Sequence, residues 1–556
     1  MMKNWLRSFS VRALLLLLVF AAMVGAQAQT VSVLYNFNSA TTDPYGFYNP
    51  GTFAQGQNGN IYTTSVSGGV GTGQGVSGNG TVFSMTTAGS LSVLNTFNVG
   101  ISTGYGPLSG VVLGTDGSFY GTTEIGGAAG CGLGCGIVFK YSSNGLGTLW
   151  AFTGGSDGGS PIAGPVEGSD GNYYGTTSLG GGTTSCGTVY KITPTGVLTT
   201  LYQFDSTHGC TPNTPLVLGT DGNFYGVTTY GGTHGDGVVF KISPAEKETT
   251  IYNFDGTHGR FPESPLVQGT DSNFYGTSET GGTLGSGVVF KISSSGKLTV
   301  LHAFPSDAND GQAPTAGVVQ ALDGNFYGVT QSGGMFGSGT IYRINAAGTY
   351  SKLYDFDGTT ASTPYVGLIQ HTSGVFYGLT VQGGTSNSGT FYSFNEGLAP
   401  FVNLVTSSGK VKASVQILGQ GFTGTTGVSF NGIAASFKVV SDTYLTAMVP
   451  SGATTGSVTV TTPGGALVSN KIYRVTPAIK SFSPASGTVG TPVMITGNSL
   501  TQTTKVTFGS VAATSFTVNS DGLVTATVPT GAKTGKIAIT TPGGTATSTQ
   551  TFTVTP

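Results

Sequence analysis

The 556-residue chain contains 94 Gly and 23 Pro, and only 8% of its residues are charged, with 21 Lys+Arg against 23 Asp+Glu. Ordinary soluble domains carry about 25% charged residues and about 7% Gly, so this chain is Gly-rich and nearly uncharged, yet 32 Phe and 24 Tyr supply material for packed cores. A net charge of −2 excludes a nucleic-acid partner, because neutralising phosphates takes clustered Lys and Arg.

Residues 1–28 read as a secretion signal. Lys3, Arg7 and Arg12 precede an apolar run from Ala13 to Gly25, and Ala26-Gln27-Ala28 is a small-residue cleavage site. That run is shorter than the roughly 20 residues a membrane span needs, and no long apolar run follows it, so no membrane span is expected. No sorting segment precedes Pro556, which leaves free secretion and surface association both open. An exported chain with four Cys (Cys131, Cys135, Cys186, Cys210) is expected to form disulfides before it binds metal.

From residue 31 onward one phrase recurs. DGNFYG stands at 221–226 and 323–328, with DGSFYG at 116–121, DGNYYG at 170–175 and DSNFYG at 271–276. NGNIYT at 58–63 and SGVFYG at 373–378 are weaker copies that lack the Asp, so their hairpins are the least secure. Each copy follows an apolar run such as PLVLGT (215–220) and precedes a Gly-Gly loop, a strand such as GVVFKIS (237–243), and a second strand such as GKLTVLHAF (296–304). Asp-Gly between β runs is a hairpin signal, and a type I′ turn is expected there. Seven four-stranded units of roughly 50 residues predict an all-β fold whose first part is a seven-bladed β-propeller. VSVLYNF (31–37) reads as an isolated outer strand, and the seventh unit stops at GTFYSF (389–394) without one. The first strand is therefore expected to complete the last blade and remove an exposed edge.

In these DGNFYG, GG, GVVFKI and LYxF phrases, residues 31–396 resemble the exported bacterial tandem-repeat family called GloVer. That resemblance implies the repeat fold and export, and no biochemical activity. A second repeat follows: VPSGATTGSVTVTTPGGALVS (449–469) returns as VPTGAKTGKIAITTPGGTATS (528–548). Together with SFSPASGTVGTPVMITG (481–497), these phrases resemble IPT/TIG immunoglobulin-like domains, implying two β-sandwiches. The first copy reads NLVTSSGKVKASVQILG where that opening should stand, so its first strand is the less secure. The expected organisation is a signal peptide at 1–28, the propeller at 29–396, and Ig-like domains at 397–476 and 477–556.

Most conspicuous residues have structural uses. Asp116, Asp170, Asp221, Asp271 and Asp323 read as turn residues, and DANDG (307–311) is one residue short of a calcium loop. The repeated aromatics read as interblade core. Longer loops on the face opposite the DG turns are the better place for binding. They carry Asp205, His208, Tyr230, His234, Asp236, Asp255, His258 and Arg260 as candidate ligand-binding residues. Cys186 and Cys210 fall in neighbouring loops of that face, so Cys186–Cys210 and Cys131–Cys135 are the expected pairs. No catalytic residue, metal site or cofactor is expected. The reading is a monomeric, secreted or cell-surface recognition or scaffold protein that contacts an extracellular polysaccharide or surface protein, with the Ig-like domains as spacers. Competing readings are a propeller glycosidase or lyase, with Asp205, Asp236 and Asp255 as its pairable carboxylates, and a purely structural matrix protein.

Overall fold

The repeat is built outward from its turn. In the computed structural model, which describes residues 30–40, 42–47, 52–70, 78–98, 104–127, 131–244, 247–307 and 309–556, the DG turns are not type I′. In the fourth unit the Gly222 N–H donates to the Gly219 carbonyl (3.0 Å) and the Gly219 N–H to the Asn223 carbonyl (2.8 Å), and only Gly222 has positive φ, at +82°. This is a three-residue hairpin loop closed by a glycine bulge. A type I′ turn would also force Asp221 into the left-handed region. Left outside it, Asp221 accepts hydrogen bonds from the Asn223 N–H (3.1 Å), Asn223 Nδ2 (2.7 Å) and the Tyr225 hydroxyl (2.8 Å). The same Tyr-to-Asp bond recurs at Tyr120–Asp116, Tyr174–Asp170, Tyr275–Asp271 and Tyr327–Asp323. The turn aspartates are thus spent on holding the turn to the strand behind it.

The fifth unit carries Ser272 at the bulge, with φ +66°. A left-handed L-residue costs about 1–2 kcal/mol, partly offset by the extra unfolded-state freedom of Gly. Ser272→Gly is expected to stabilise the protein by about 0.5–1 kcal/mol, read as a higher urea midpoint at unchanged slope.

Seven four-stranded antiparallel sheets follow, one per unit. The fourth blade runs Val217–Leu218, Phe224–Thr228, Val238–Ile242 and Glu248–Asn253, from the inner to the outer strand. The seventh comprises Ile369–Gln370, Phe376–Leu379 and Thr390–Asn395, and its outer strand is Thr30–Asn36 from the other end of the chain. Gly226 faces Phe240, and a Cβ there would come within 2.7 Å of that ring, which explains the Gly of the FYG phrase. Two aromatic series join the blades. Tyr120 stacks on Tyr173, Tyr174 on Phe224, Tyr225 on Phe274 and Tyr275 on Phe326, at 3.8–4.0 Å. Further out, Phe204 meets Phe240, Phe254 meets Phe290 and Phe356 meets Tyr392, while Phe37 meets Phe83 across the closure. The repeated Phe and Tyr are therefore interblade core. The first and seventh hairpins form without their Asp, the Gly59 N–H bonding the Gly56 carbonyl (3.0 Å) and the Gly374 N–H the His371 carbonyl (2.8 Å).

Two β-sandwiches complete the chain, each with its own core around Phe422 and Phe430 or Phe508 and Phe552. The first strand is only Asn403–Leu404 in the first sandwich but Ala478–Ser483 in the second, in keeping with the missing opening phrase. The first sandwich sits on the DG-turn face of the propeller. Its Leu418 and Tyr444 pack with Ala54 and Phe119, Gln420 Nε2 donates to Thr372 Oγ1 (3.1 Å), and Thr443 Oγ1 donates to the Gln57 carbonyl (2.7 Å). His371 lies buried at this junction with Nε2 3.0 Å from the Gly59 carbonyl. The opposite face, with the longer loops, is left uncovered by the sandwich. No helix among the described residues is long and apolar enough to cross a membrane. The expected signal peptide lies outside the described residues.

Candidate functional site

Each inner strand is entered through a bend that repeats around the ring. Ser160, Thr211, Phe261, Ala313 and Thr363 all take positive φ (51–61°), and each precedes a Pro. The Pro ring packs on the glycine that opens the third strand of the preceding blade; a Cβ on Gly237 would lie 2.8 Å from Pro262 Cδ. The carbonyl of the bent residue accepts from the backbone just past the second strand, as in Thr229 N–H to Thr211 (3.1 Å) and Val381 N–H to Thr363 (3.0 Å). Repeated backbone strain of this kind is held by its surroundings and concentrates at functional rims.

The bend fixes two side-chain slots at the end of each blade's inner hairpin. One is the residue after the Pro; the other lies one or two residues past the second strand. Between the pairs Cys210↔Tyr230 and Val217↔Tyr225 the inner strand carries two extra residues, and within that stretch Asn213 Nδ2 donates to Thr229 Oγ1 at 3.3 Å. In the fifth blade the matching positions are Glu263 and Glu279, and the charge of Glu279 acts on Glu263. The matching positions are Thr315 and Gln331 in the sixth blade and Tyr365 and Val381 in the seventh. Inner strands of a propeller line its central channel, so these slots form the channel rim on the loop face.

Some of these slots act on one another electrostatically. Burial, and then the charge of Glu279, push the Glu263 carboxyl up to about 7, and burial raises Glu279 as well. The Tyr365 phenol is pushed up to about 12 by burial and then by the charges of Glu263 and Glu279. Tyr365 belongs to the seventh blade and both carboxylates to the fifth, so their charges act across the ring. Aligning the repeats on Pro212, Pro262, Pro314 and Pro364 exposes this slot in the sequence: the next residue reads Asn, Glu, Thr, Tyr while its frame repeats.

The eight loop residues singled out from the sequence occupy other places. Asp205 and His208 close their own loop, with His208 Nδ1 2.9 Å from Asp205 Oδ1 and the His208 N–H donating to the same oxygen (2.8 Å). Asp255 and His258 repeat that clasp, Nδ1 lying 2.8 Å from Asp255 Oδ2. Partial burial opposes ionisation of these carboxyls, but the bonds from their histidines outweigh it and hold both below the usual carboxylate range. His258 and Thr257 border a shallow cavity of about 310 Å³ against Leu298–Val300, on the outer strand of the fifth blade. Asp236 and Arg260 do come together, with Nε 3.1 Å from Oδ1, and the Arg260 guanidinium lies 4.3 Å from the Phe261 ring centre. Tyr230, 47% exposed, stands edge-on to Phe261 at 5.2 Å. His234 sits in the same Gly-Gly loop as Asp236, between Gly231 and Gly237. Asp310 of the DANDG segment is used by His302 Nε2 (3.0 Å) and the Tyr350 hydroxyl (2.6 Å).

Disulfides brace this face. Cys186 is joined to Cys210 and Cys131 to Cys135, with Cα separations of 4.4 and 5.2 Å. Cys210 also pairs with Tyr230, its N–H donating to the Tyr230 carbonyl at 2.7 Å, so the first bridge steadies the exposed ring. Non-reducing peptide mapping is expected to recover a Cys186–Cys210 peptide; a Cys135–Cys186 peptide would refute this pairing.

Among solved structures, SGBP-B from a complex xyloglucan utilization locus in Bacteroides uniformis aligns at 23% identity over 27% of this chain and 48% of its own, with TM-score 0.15. The surface glycan-binding protein PbSGBP-B from Prevotella bryantii aligns at 18% over 28% and 39%, with TM-score 0.21. This chain therefore spans less than half the length of either. A gluconolactonase from Xanthomonas campestris aligns at 13% over 56% and 90%, with TM-score 0.33. No curated protein matches the sequence. Residues 477–554 match the IPT/TIG domain. Residues 49–270 and 252–435 match the Gloeobacter/Verrucomicrobia repeat, and on that match across most of its length the chain belongs to this repeat family.

Proposed function

We propose that the protein is exported and acts as a non-catalytic recognition protein, binding extracellular polysaccharide through the loop face of the propeller while the Ig-like domains serve as spacers. The observation that carries this reading is a ring of exposed apolar side chains on that face. Val70, Leu133, Leu179, Tyr230, Leu284, Met335 and Phe336 all lie in loops after the second strand of a blade, and the first sandwich covers the other face. Single exposed apolar side chains are ordinary, but here they recur in the equivalent loop of six successive blades. At Tyr230 the ring is completed by Phe261, Arg260 and Asp236. A sugar ring presents one C–H face and a rim of hydroxyls, and an aromatic edge beside an oriented guanidinium–carboxylate pair matches both.

Retention on insoluble polysaccharides, guided by a glycan array, tests this reading. Tyr230→Ala and Arg260→Ala are each expected to weaken retention by about 10-fold, as central aromatic and Arg contacts do. Unchanged retention in both would remove this patch from the interface. Release of reducing ends that disappears in Asp236→Asn or Asp255→Asn would convert the protein into an enzyme. The exported protein is expected to begin at Gln29, which N-terminal sequencing reads directly.

A further inference from the structure

Charge is divided unevenly between the two ends of the propeller. The loop face is made of the segments that link each outer strand to the next inner strand, and each second strand to the third. Among their described residues stand eleven Asp or Glu and one cation, Arg260. Six of the seven links between blades carry at least one of these acids. Lys352 reaches the same face from an outer strand, where Asp355 of that strand offsets it at 2.9 Å. The other end is where the cations gather. Lys140, Lys191, Lys241, Lys291 and Arg343 occupy one position of the third strand, each opposite the tyrosine that bonds the turn aspartate. Lys140 Nζ lies 2.6 Å from Asp116 there.

Several loop carboxylates are held by neutral donors. Trp150 Nε1 donates to Asp157 (3.2 Å), and the Thr359 and Thr360 N–H groups donate to Asp357 (2.9 and 2.7 Å). Such bonds fix a carboxylate in place and leave its charge on the face. Asp307 and Asp357 are exposed. The Tyr230 patch differs from its surroundings, because Asp236 and Arg260 balance each other there (3.1 Å). An acidic chain entering the face would find Arg260 already engaged and would meet like charge from loops around the ring. An uncharged sugar chain meets none of this repulsion and keeps its contacts with the Tyr230 and Phe261 rings. We infer that the loop face takes uncharged polysaccharide and rejects acidic chains, whether of uronic acids or of sulfated sugars. The inference rests on the recognition reading and names the substrate class of the Tyr230 patch; the acids around it act as a screen, not as a binding site.

Retention of the full mature chain on cellulose, β-1,3-glucan and galactomannan, each in neutral and carboxymethylated form, and on alginate, tests this. Work at about pH 8 keeps ordinary histidines neutral. A neutral polymer should be held at least about 10-fold better than its carboxymethylated partner in about 0.01 M salt, where the Debye length of about 30 Å lets the whole face act. That gap should shrink to about 2-fold in about 1 M salt, where the length is about 3 Å. The triple variant Asp157→Asn/Asp307→Asn/Asp357→Asn keeps an acceptor oxygen at each site and removes three charges. It should raise retention of the carboxymethylated polymer several-fold in low salt and leave the neutral polymer unchanged. If the triple variant does not fold, the salt dependence of the wild type carries the test. Equal or better retention of alginate or a carboxymethylated polymer in low salt would overturn the inference and leave the recognition reading standing. An equal change on neutral and carboxymethylated polymer in the triple variant would also overturn it, since the acids would then be contacts. Retention of none of these polymers would count against both readings.

Discussion

A mature chain lacking residues 30–36 is expected to aggregate or to unfold well below the wild-type midpoint, because the ring then stays open. Thr30–Asn36 pairs with Thr390–Asn395 from Thr30↔Asn395 to Asn36↔Thr390. Val31 and Val33 pack with Phe376, Tyr392 and Phe394, while Leu34 and Tyr35 pack with Phe83 and Phe391. Full burial of such a side chain contributes about 1.5–3 kcal/mol, and each of these four is half-buried, so each contributes a part of that. With the lost strand pairing, this is a sizeable share of the roughly 5–15 kcal/mol by which a folded protein is stable. The deletion also bares an unpaired strand edge. Phe37→Ala is the graded version: Phe37 is fully buried against Phe47 and Phe83, and about 3–5 kcal/mol should be lost. Size-exclusion profiles and thermal midpoints check both. A deletion variant that stays monodisperse with a midpoint near wild type would contradict closure by the first strand.

The second large effect is a pair of opposed pH dependences. Burial pushes His371 down to about 4, although the Gly59 carbonyl works the other way. An unfolded His titrates near 6.5, so between pH 6.5 and 4 the unfolded chain binds a proton that the folded chain refuses. Stability from this residue is complete above about 6.5 and falls as pH drops towards 4, by about 3 kcal/mol at 1.4 kcal/mol per unit. Glu263 has the reverse sign. Its carboxyl is raised to about 7, so the folded chain holds a proton that the unfolded chain gives up, and stability is gained as pH falls from 7 towards 4.5. The gain is similar in size, reduced by its partial exposure. The two contributions oppose each other across this window, so removing either one tilts the pH profile towards the other. Glu263→Gln should unmask a loss of stability on acidification, and His371→Gln a gain. Urea midpoints at pH 7, 5.5 and 4, followed by the fluorescence of Trp150 in the second blade, read this out. Parallel profiles for the two variants would refute the assignment.

His371 also shows where local sequence stops being informative. It occupies a turn of the seventh copy that lacks its Asp, and nothing nearby in the chain announces that this turn touches Gly59 and Gln420. Both partners come from other units, one of them from the first sandwich. The turn class was missed for a related reason: Asp-Gly pairs suit two hairpin geometries, and the Asp221–Tyr225 and Asp221–Asn223 bonds select between them. In the loops, the FDSTHG and FDGTHG phrases look like gathered acid and base groups, yet each His closes on the Asp three residues before it. Such a clasp satisfies both groups locally and needs no ligand.

The sequence alone carried the seven-fold repeat, the outer strand displaced to the N-terminus, the aromatic interblade core and the duplicated sandwich. Each depends on contacts within one unit or between identical neighbours, so repetition writes it several times over. The channel rim was decided in three dimensions. Glu263, Thr315 and Tyr365 lie about 50 residues apart in sequence and differ from one another at the one slot where their frames agree. They come to the same end of the ring because strained bends before Pro262, Pro314 and Pro364 repeat at the start of successive inner strands. The abundant glycine of the composition serves this closure: Gly237 and its equivalents make room for the proline of the next blade, and a side chain there would push the ring open.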